Sequence, residues 1–159
     1  MALLAINHVG YAVSDLDRSI EFFTELLGQE PYFKEVYDVE YIGRVVGYPG
    51  AIQYAAFFTL PGTHAFLELI QYINPPAGMV DMETYNAGNA HLCFQVDDLA
   101  AEYERITALG GVFRSPGPVA SDYGVYDGAQ TLYFRDPDGI SIQLVQLTEG
   151  MDPTGGAST

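Results

Sequence analysis

Two histidines, a glutamate and a glutamine stand where an alternating strand would turn them all to one side of a sheet. In Asn89–Val96, side chains alternate between Ala90, Leu92, Phe94 and Val96 on one face and Asn89, His91, Cys93 and Gln95 on the other. The stretch Ile6–Val13 repeats the arrangement, with Val9, Tyr11 and Val13 against Ile6, His8, Gly10 and Ala12. Leu67 and Leu69, and later Ile142 and Leu144, suit packing under a helix, so Glu68 and Gln143 point the other way with the histidines. An ionised Glu68 flanked by Phe66 and Ile70 is costly to bury unless a cation or strong donor meets it. With 6 Lys and Arg in the whole chain, a metal ion is the natural candidate. Two imidazoles and a carboxylate suit Zn²⁺, Ni²⁺, Co²⁺, Mn²⁺ or Fe²⁺ and leave positions for water or substrate.

The elements that must position these residues come as a repeat. His8-Val-Gly-Tyr-Ala-Val-Ser-Asp-Leu becomes His91-Leu-Cys-Phe-Gln-Val-Asp-Asp-Leu, and at the same offset Leu16, Ile20, Phe23 and Gly28 become Leu99, Tyr103, Ile106 and Gly111. Each copy reads as a strand followed by a helix. In the first, Ser14-Asp15-Leu16-Asp17 supplies capping oxygens, apolar residues follow at helical spacing, and Gly28 supplies a stop. A second match pairs Leu67-Glu68-Leu69-Ile70-Gln71 with Ile142-Gln143-Leu144-Val145-Gln146. If an approximate twofold axis relates the copies, His8 and His91 become mates, as do Glu68 and Gln143, and all four can converge. That equivalence separates them from a solitary core histidine, and from His64, which lies in a Pro61–His64 turn without a counterpart and is expected at the surface. Cys93 is expected to be a small buried hydrophobe, with lining the cavity as the alternative.

Between the matched ends, 31–39, 52–60 and 66–72 in the first copy and 112–114, 129–135 and 140–147 in the second are β-like. Segments 43–50 and 115–128, rich in Gly, Pro and Tyr, are expected to be irregular loops that could cover a site. Residues 74–89 connect the copies. The domain expected is 1–147, with modules at about 4–73 and 89–147 and a flexible tail at 148–159.

The chain has 159 residues, enough for one domain with a core, and a net charge of −15 from 21 acidic and 6 basic side chains. Such a balance argues against nucleic acid and anionic membrane surfaces as partners. The single Cys93 excludes an internal disulfide. No basic leader or membrane-length apolar run is seen, so a cytoplasmic location is expected.

The pattern His8…Ser14-Asp15-Leu16-Asp17-Arg18-Ser19…Phe22-Phe23…Leu27-Gly28, then Leu67-Glu68-Leu69, His91…Val96-Asp97-Asp98-Leu99 and Phe134-Arg135-Asp136-Pro137-Asp138-Gly139 resembles the vicinal oxygen chelate superfamily across roughly residues 4–147. The superfamily holds glyoxalase I, methylmalonyl-CoA epimerase, extradiol dioxygenases and fosfomycin or bleomycin resistance proteins. The resemblance implies an α+β fold of two pseudo-symmetric βαβββ modules whose curved mixed sheets surround a metal cavity. It implies His8, Glu68, His91 and Gln143 as ligands of a divalent ion, meeting within one chain or across two, and a homodimer.

Glyoxalase-like and epimerase-like members usually carry Glu at the position of Gln143. An amide oxygen can bind a metal, but an amide cannot take and return a proton as a general base. Glu68 is therefore the candidate catalytic base, with a metal-bound hydroxide as the other possibility. The activity implied is a metal-dependent isomerase, epimerase or lyase working through an enediolate on a small hydroxy-carbonyl compound. Similarity of the Gly47-Tyr48-Pro49-Gly50-Ala51 loop to epimerase-like members favours it. The alternatives are an Fe(II) extradiol-type dioxygenase using His8, His91 and Glu68, a non-catalytic drug-binding protein of the resistance type, and a β-rich domain without chemistry. Against Arg18, Lys34, Arg44, Arg105, Arg114 and Arg135 stand 12 Tyr and 9 Phe, including Tyr32, Phe33, Tyr37, Tyr41, Tyr48, Tyr123 and Tyr126. A neutral cyclic or aromatic substrate fits that wall better than a glutathione or CoA conjugate.

Overall fold

The structure is a computed structural model and describes residues 2–153, so the last six residues of the expected tail lie outside it. The first strand, β1 (His8–Ala12), runs into helix α1 (Leu16–Leu27), whose amino end is closed by Asp15 accepting from the Arg18 N–H at 3.1 Å. Gly28, at φ 66°, ends the helix by donating to the Thr24 carbonyl. Leu16, Ile20 and Phe23 form its buried stripe, as their spacing requires. Strand β2 (Phe33–Tyr37), helix α2 (Glu40–Val46), strand β3 (Ile52–Thr59) and strand β4 (Phe66–Asn74) complete this half. They make a mixed sheet ordered β1-β4-β3-β2, in which β1 and β4 are parallel.

The second half repeats the plan. Strand β5 (His91–Gln95) leads into α3 (Leu99–Ala108), capped by Asp98, which accepts from the Ala101 N–H at 2.9 Å. Strands β6 (Val112–Phe113), β7 (Val119–Ala120), β8 (Gln130–Arg135) and β9 (Ser141–Gln146) follow, with the order β5-β9-β8-β6 and β7 also pairing β8. Among the described residues the fold is thus α+β, with two mixed sheets and three helices, of which α1 and α3 follow from the repeat and α2 belongs to the first half alone. Contacts divide the chain into two units, Met1–Val80 and Asp81–Thr159. Leu16, Phe23, Phe58, Leu67 and Leu69 are fully buried in the first, and Leu99, Ile106, Phe134 and Ile142 in the second. Each such side chain contributes about 1.5–3 kcal/mol by leaving water.

A pair of repeated glutamines explains why the last strand of each unit carries a matched sequence. Gln71 accepts from the Leu16 N–H at 2.9 Å, and Gln146 accepts from the Leu99 N–H at 2.8 Å. Each satisfies an orphan donor at a helix start, tying the final strand to the helix that follows the first strand. The adjoining backbone bonds, Val13 N–H to the Ile70 carbonyl and Val96 N–H to the Val145 carbonyl, are both 2.9 Å long.

Two segments expected to be irregular are partly ordered. The first turns of 43–50 belong to α2, which Gly47 at φ 76° terminates. Gly43 is required inside it, because a Cβ there would lie 2.9 Å from the Tyr48 carbonyl oxygen. Segment 115–128 holds β7 and a 3-10 turn, Gly124–Tyr126. Among the described residues no helix is long and apolar enough to cross a membrane.

Candidate functional site

In the first unit, parallel pairing sets Gly10 opposite Glu68 and His8 opposite Phe66, so His8 and Glu68 are diagonal neighbours on the face away from α1. Their alternation is the expected one: Tyr11, Leu67 and Leu69 are buried and Val9 is half-buried, while His8 is exposed and the Glu68 side chain is 21% exposed. His8 Nε2 lies 3.3 Å from Glu68 Oε2. The other ring nitrogen, Nδ1, is 2.8 Å from the Asn7 side-chain oxygen. With a neutral ring protonated at Nδ1, Nε2 would turn a lone pair toward a carboxylate that has only lone pairs to offer. Positive charge between them, a proton on the ring or a metal ion, turns that opposition into attraction. Donors bound to one such ion at about 2.0–2.2 Å stand roughly 3.0–3.4 Å apart, the separation found here.

The second unit places its counterparts in the same register, with Cys93 opposite Gln143 and His91 opposite Ser141. His91 Nε2 is 3.0 Å from Gln143 Oε1. Two hydroxyls that have no counterpart in the first unit complete the cluster. Tyr133, paired with Gln143 across β8 and β9, donates to Gln143 Oε1 at 2.9 Å and lies 3.2 Å from His91 Nε2. Gln143 Nε2 donates to Thr131 Oγ1 at 2.8 Å. Neither hydroxyl was singled out from sequence, although the alternation of β8 puts Thr131, Tyr133 and Arg135 on the face of Gln143. Burial, and after it Cys93 and Tyr126, hold the Tyr133 phenol above its ordinary value.

The structure thus brings His8 together with Glu68, and His91 together with Gln143, each pair within its own unit. Among the described residues no three His, Cys, Asp or Glu side chains form a metal-holding group. The residue types of each pair, an imidazole and an oxygen donor, nevertheless fit a divalent ion in kind. His64 is exposed in its turn, as expected. Cys93 corrects an expectation, because it is exposed rather than a buried hydrophobe: it shares the face of His91, which lies away from α3.

An aromatic surface surrounds the first pair. His8 stacks on Phe66 at 5.0 Å; Phe66 lies 4.9 Å from Phe57, Phe57 stacks on Phe33 at 4.6 Å, and Phe33 stacks on Tyr37 at 5.9 Å. Tyr32 meets Phe66 edge-on at 6.3 Å and remains 57% exposed. The phenols of Tyr32 and Tyr37 are both raised, first by burial and then by nearby carboxylates that include Glu68. Tyr41 and Tyr48, by contrast, are exposed on or beside α2, and Tyr123 and Tyr126 stand exposed in the 115–128 segment.

The cations are mostly engaged elsewhere. Lys34 pairs with Asp17, Arg105 with Glu102, and Arg114 and Arg135 with Glu83. Arg135 also donates to the carbonyls of Met82 and Gly139 and to Ser141 Oγ, which holds the segment before β5 beside the second sheet. Arg18 donates to Ser14 Oγ. Among the described residues Arg44 alone has no ion pair or side-chain hydrogen bond.

Comparison with known proteins agrees with this layout. The chain is 30% identical over 92% of its length to a 2-epi-5-epi-valiolone epimerase from an Actinomyces species, covering 81% of that protein. It is 33% identical over 89% of its length to a probable lactoylglutathione lyase from Vibrio cholerae, covering 89% of it. It spans less than half of the plant lactoylglutathione lyases it also matches, 37% of the chloroplastic one from Arabidopsis thaliana. Among solved structures, a glyoxalase family protein from Bacillus cereus superposes with a TM-score of 0.75 and 26% identity, over 92% of this chain and 96% of that one. The names of the relatives support an enzyme of isomerase or lyase type. With residues 5–144 matching the family model, and the paired βαβββ layout and its facing ligand-type side chains in place, the chain belongs to the Glyoxalase/Bleomycin resistance protein/Dioxygenase superfamily.

Proposed function

We propose that this chain is a divalent-metal-dependent isomerase of the epimerase kind, acting on a small, neutral, cyclic hydroxy-carbonyl compound. In this reading His8, Glu68, His91 and Gln143 are the metal ligands and Glu68 is the proton carrier. The observation that carries it is the contact of His8 Nε2 with Glu68 Oε2 at 3.3 Å, a spacing at which one divalent ion could hold both groups. When bound, a divalent ion held by these residues would supply positive charge that stabilises negative charge developing on substrate oxygen.

Glu68 takes the proton from the carbon beside the carbonyl and returns it to the same carbon framework. Its setting suits this role, because Phe57 stands across from it in the register and packs against Phe66, so that apolar rings flank the carboxylate. Gln143 binds and orients but moves no proton. The ladder from Phe66 to Phe33 offers flat apolar area for a ring. The engagement of five of six cations removes the donors that a glutathione or CoA conjugate needs, and this favours the epimerase-like reading over the lactoylglutathione lyase one.

The test is solvent deuterium exchange. Protein supplied with Zn²⁺, Co²⁺, Ni²⁺ or Mn²⁺ is incubated in D₂O with 2-hydroxycyclohexanone and, separately, with the hemithioacetal of methylglyoxal and glutathione. Exchange into the cyclic ketone alone is the expected result. Turnover of the glutathione adduct alone would overturn the substrate assignment, and metal-loaded protein inert toward both would overturn the reaction type.

A further inference from the structure

Gln143 sits between a donor and an acceptor in an arrangement that matches an amide. Thr131 Oγ1 has one proton, and it is spent on the Leu144 carbonyl at 2.9 Å. Toward Gln143 the threonine therefore offers only lone pairs, and these accept from Nε2 at 2.8 Å. On the other side Tyr133 points its hydroxyl proton at Oε1, 2.9 Å away. Turning the amide over would set its oxygen against the lone pairs of Thr131 and forfeit either that contact or the Thr131–Leu144 bond. A carboxylate at 143 would meet the same lone pairs with an oxygen that can only accept.

We infer that Thr131 and Tyr133 form a socket that selects an amide over a carboxylate at position 143 and fixes its carbonyl oxygen toward His91. They are positioning residues, and the inference rests on the proposed metal site for its purpose: Gln143 is a neutral ligand held in one orientation. Supporting groups of this kind commonly change metal affinity about 10- to 100-fold when removed. In the first unit Phe57 takes the register position of Tyr133 and Ala55 that of Thr131, so no socket surrounds Glu68. The two units therefore prescribe different chemistry at equivalent positions: a carboxylate free to exchange protons in one, a locked amide in the other.

Two readouts separate the socket from the metal site. In metal-free protein, ¹⁵N spectra follow the side-chain NH₂ of Gln143, and calorimetry follows Zn²⁺ binding. The parent is expected to show slowed Gln143 NH₂ exchange that Thr131→Val abolishes and Thr131→Ser retains. Zn²⁺ affinity is expected to fall about 10-fold or more in Thr131→Val and Tyr133→Phe and to recover in Thr131→Ser. Gln143→Glu is expected to lower the Tm at pH 8, by less when Thr131→Val is also present. Unchanged NH₂ exchange in Thr131→Val, or a Gln143→Glu protein that melts with the parent, would overturn the socket. A parent that binds no Zn²⁺ would overturn the metal site, while the NH₂ and melting comparisons still decide the socket.

Discussion

The two sheets hold their chemistry-bearing residues in one register and surround them differently. In the first, His8 faces a carboxylate amid phenylalanines, with Gly10 beside Glu68. In the second, His91 faces an amide amid hydroxyls, with Cys93 beside Gln143. Backbone pairing alone decides that a first-strand histidine and a last-strand side chain meet diagonally, so duplication of the module duplicates the meeting. What the pair can do is decided one strand further out, where β3 supplies Phe57 and β8 supplies Tyr133. An apolar neighbour gives a carboxylate no hydrogen-bond partner, whereas a donor and an acceptor commit an amide to one orientation. On the proposed function, the duplicated module divides proton transfer from ligand positioning.

The largest test of that division is Glu68→Gln, which gives both units an amide. Proton exchange is expected to fall by about 10²–10⁴-fold, measured as deuterium incorporation; a variant exchanging at the parent's rate would show that Glu68 is not the base. Next come the cores that carry the sheets. Phe23→Ala, which empties a site at 0% exposure, should lower stability by about 3–5 kcal/mol, and Ile106→Ala, its repeat partner, by about 2–5 kcal/mol, read from denaturant midpoints. A loss below about 1 kcal/mol at either position would show that its side chain does not carry the core of its unit. Phe57→Tyr then makes the first unit resemble the second, since a hydroxyl opposite Glu68 stabilises its charged form and weakens it as a base. The exchange rate should drop on the order of tenfold, and a gain would reverse the role given to the apolar surround.

Smaller effects test the shared frame. Asp15→Ala and Asp98→Ala should each cost about 1 kcal/mol, because each removes one cap bond at an equivalent helix start. The smallest effect is at Asp17 and Lys34, on the exposed side of the first unit. Lys34 lowers the Asp17 carboxyl from its ordinary value, and Asp17 raises the Lys34 ammonium. A lowered carboxyl stabilises the fold above about pH 4 and loses that effect as acid protonates it; a raised ammonium stabilises the fold below about pH 10 and loses its effect above. Lys34→Met should therefore lower the Tm slightly at pH 7 and not at pH 2, and a difference that persists at pH 2 would show that lysine packing, not charge, was lost.

Much of the site was legible in the chain because period two and repetition are both local and additive. The faces of His8, Glu68, His91 and Gln143 follow from alternation, and the bounds of α1 follow from Asp15, its apolar stripe and Gly28. Helix α2 was hidden by Gly43 and Gly47, which read as loop residues until a close backbone approach explains the first and a helix end the second. Cys93 looked like core because cysteine is so often buried, yet its strand face settled its exposure.

The sequence by itself determined which residues share a face and which are mates under the repeat, since both follow from spacing along one strand. Only the tertiary structure decided which hydroxyl, ring or carbonyl stands across from each of them. Thr131 and Tyr133 become partners of Gln143 through the register of β8 on β9, and Arg114 and Arg135 are drawn to Glu83 by the path of the segment before β5. Such pairings join residues far apart in the chain, and no local pattern encodes the proton that Thr131 gives to Leu144, on which the orientation of Gln143 depends.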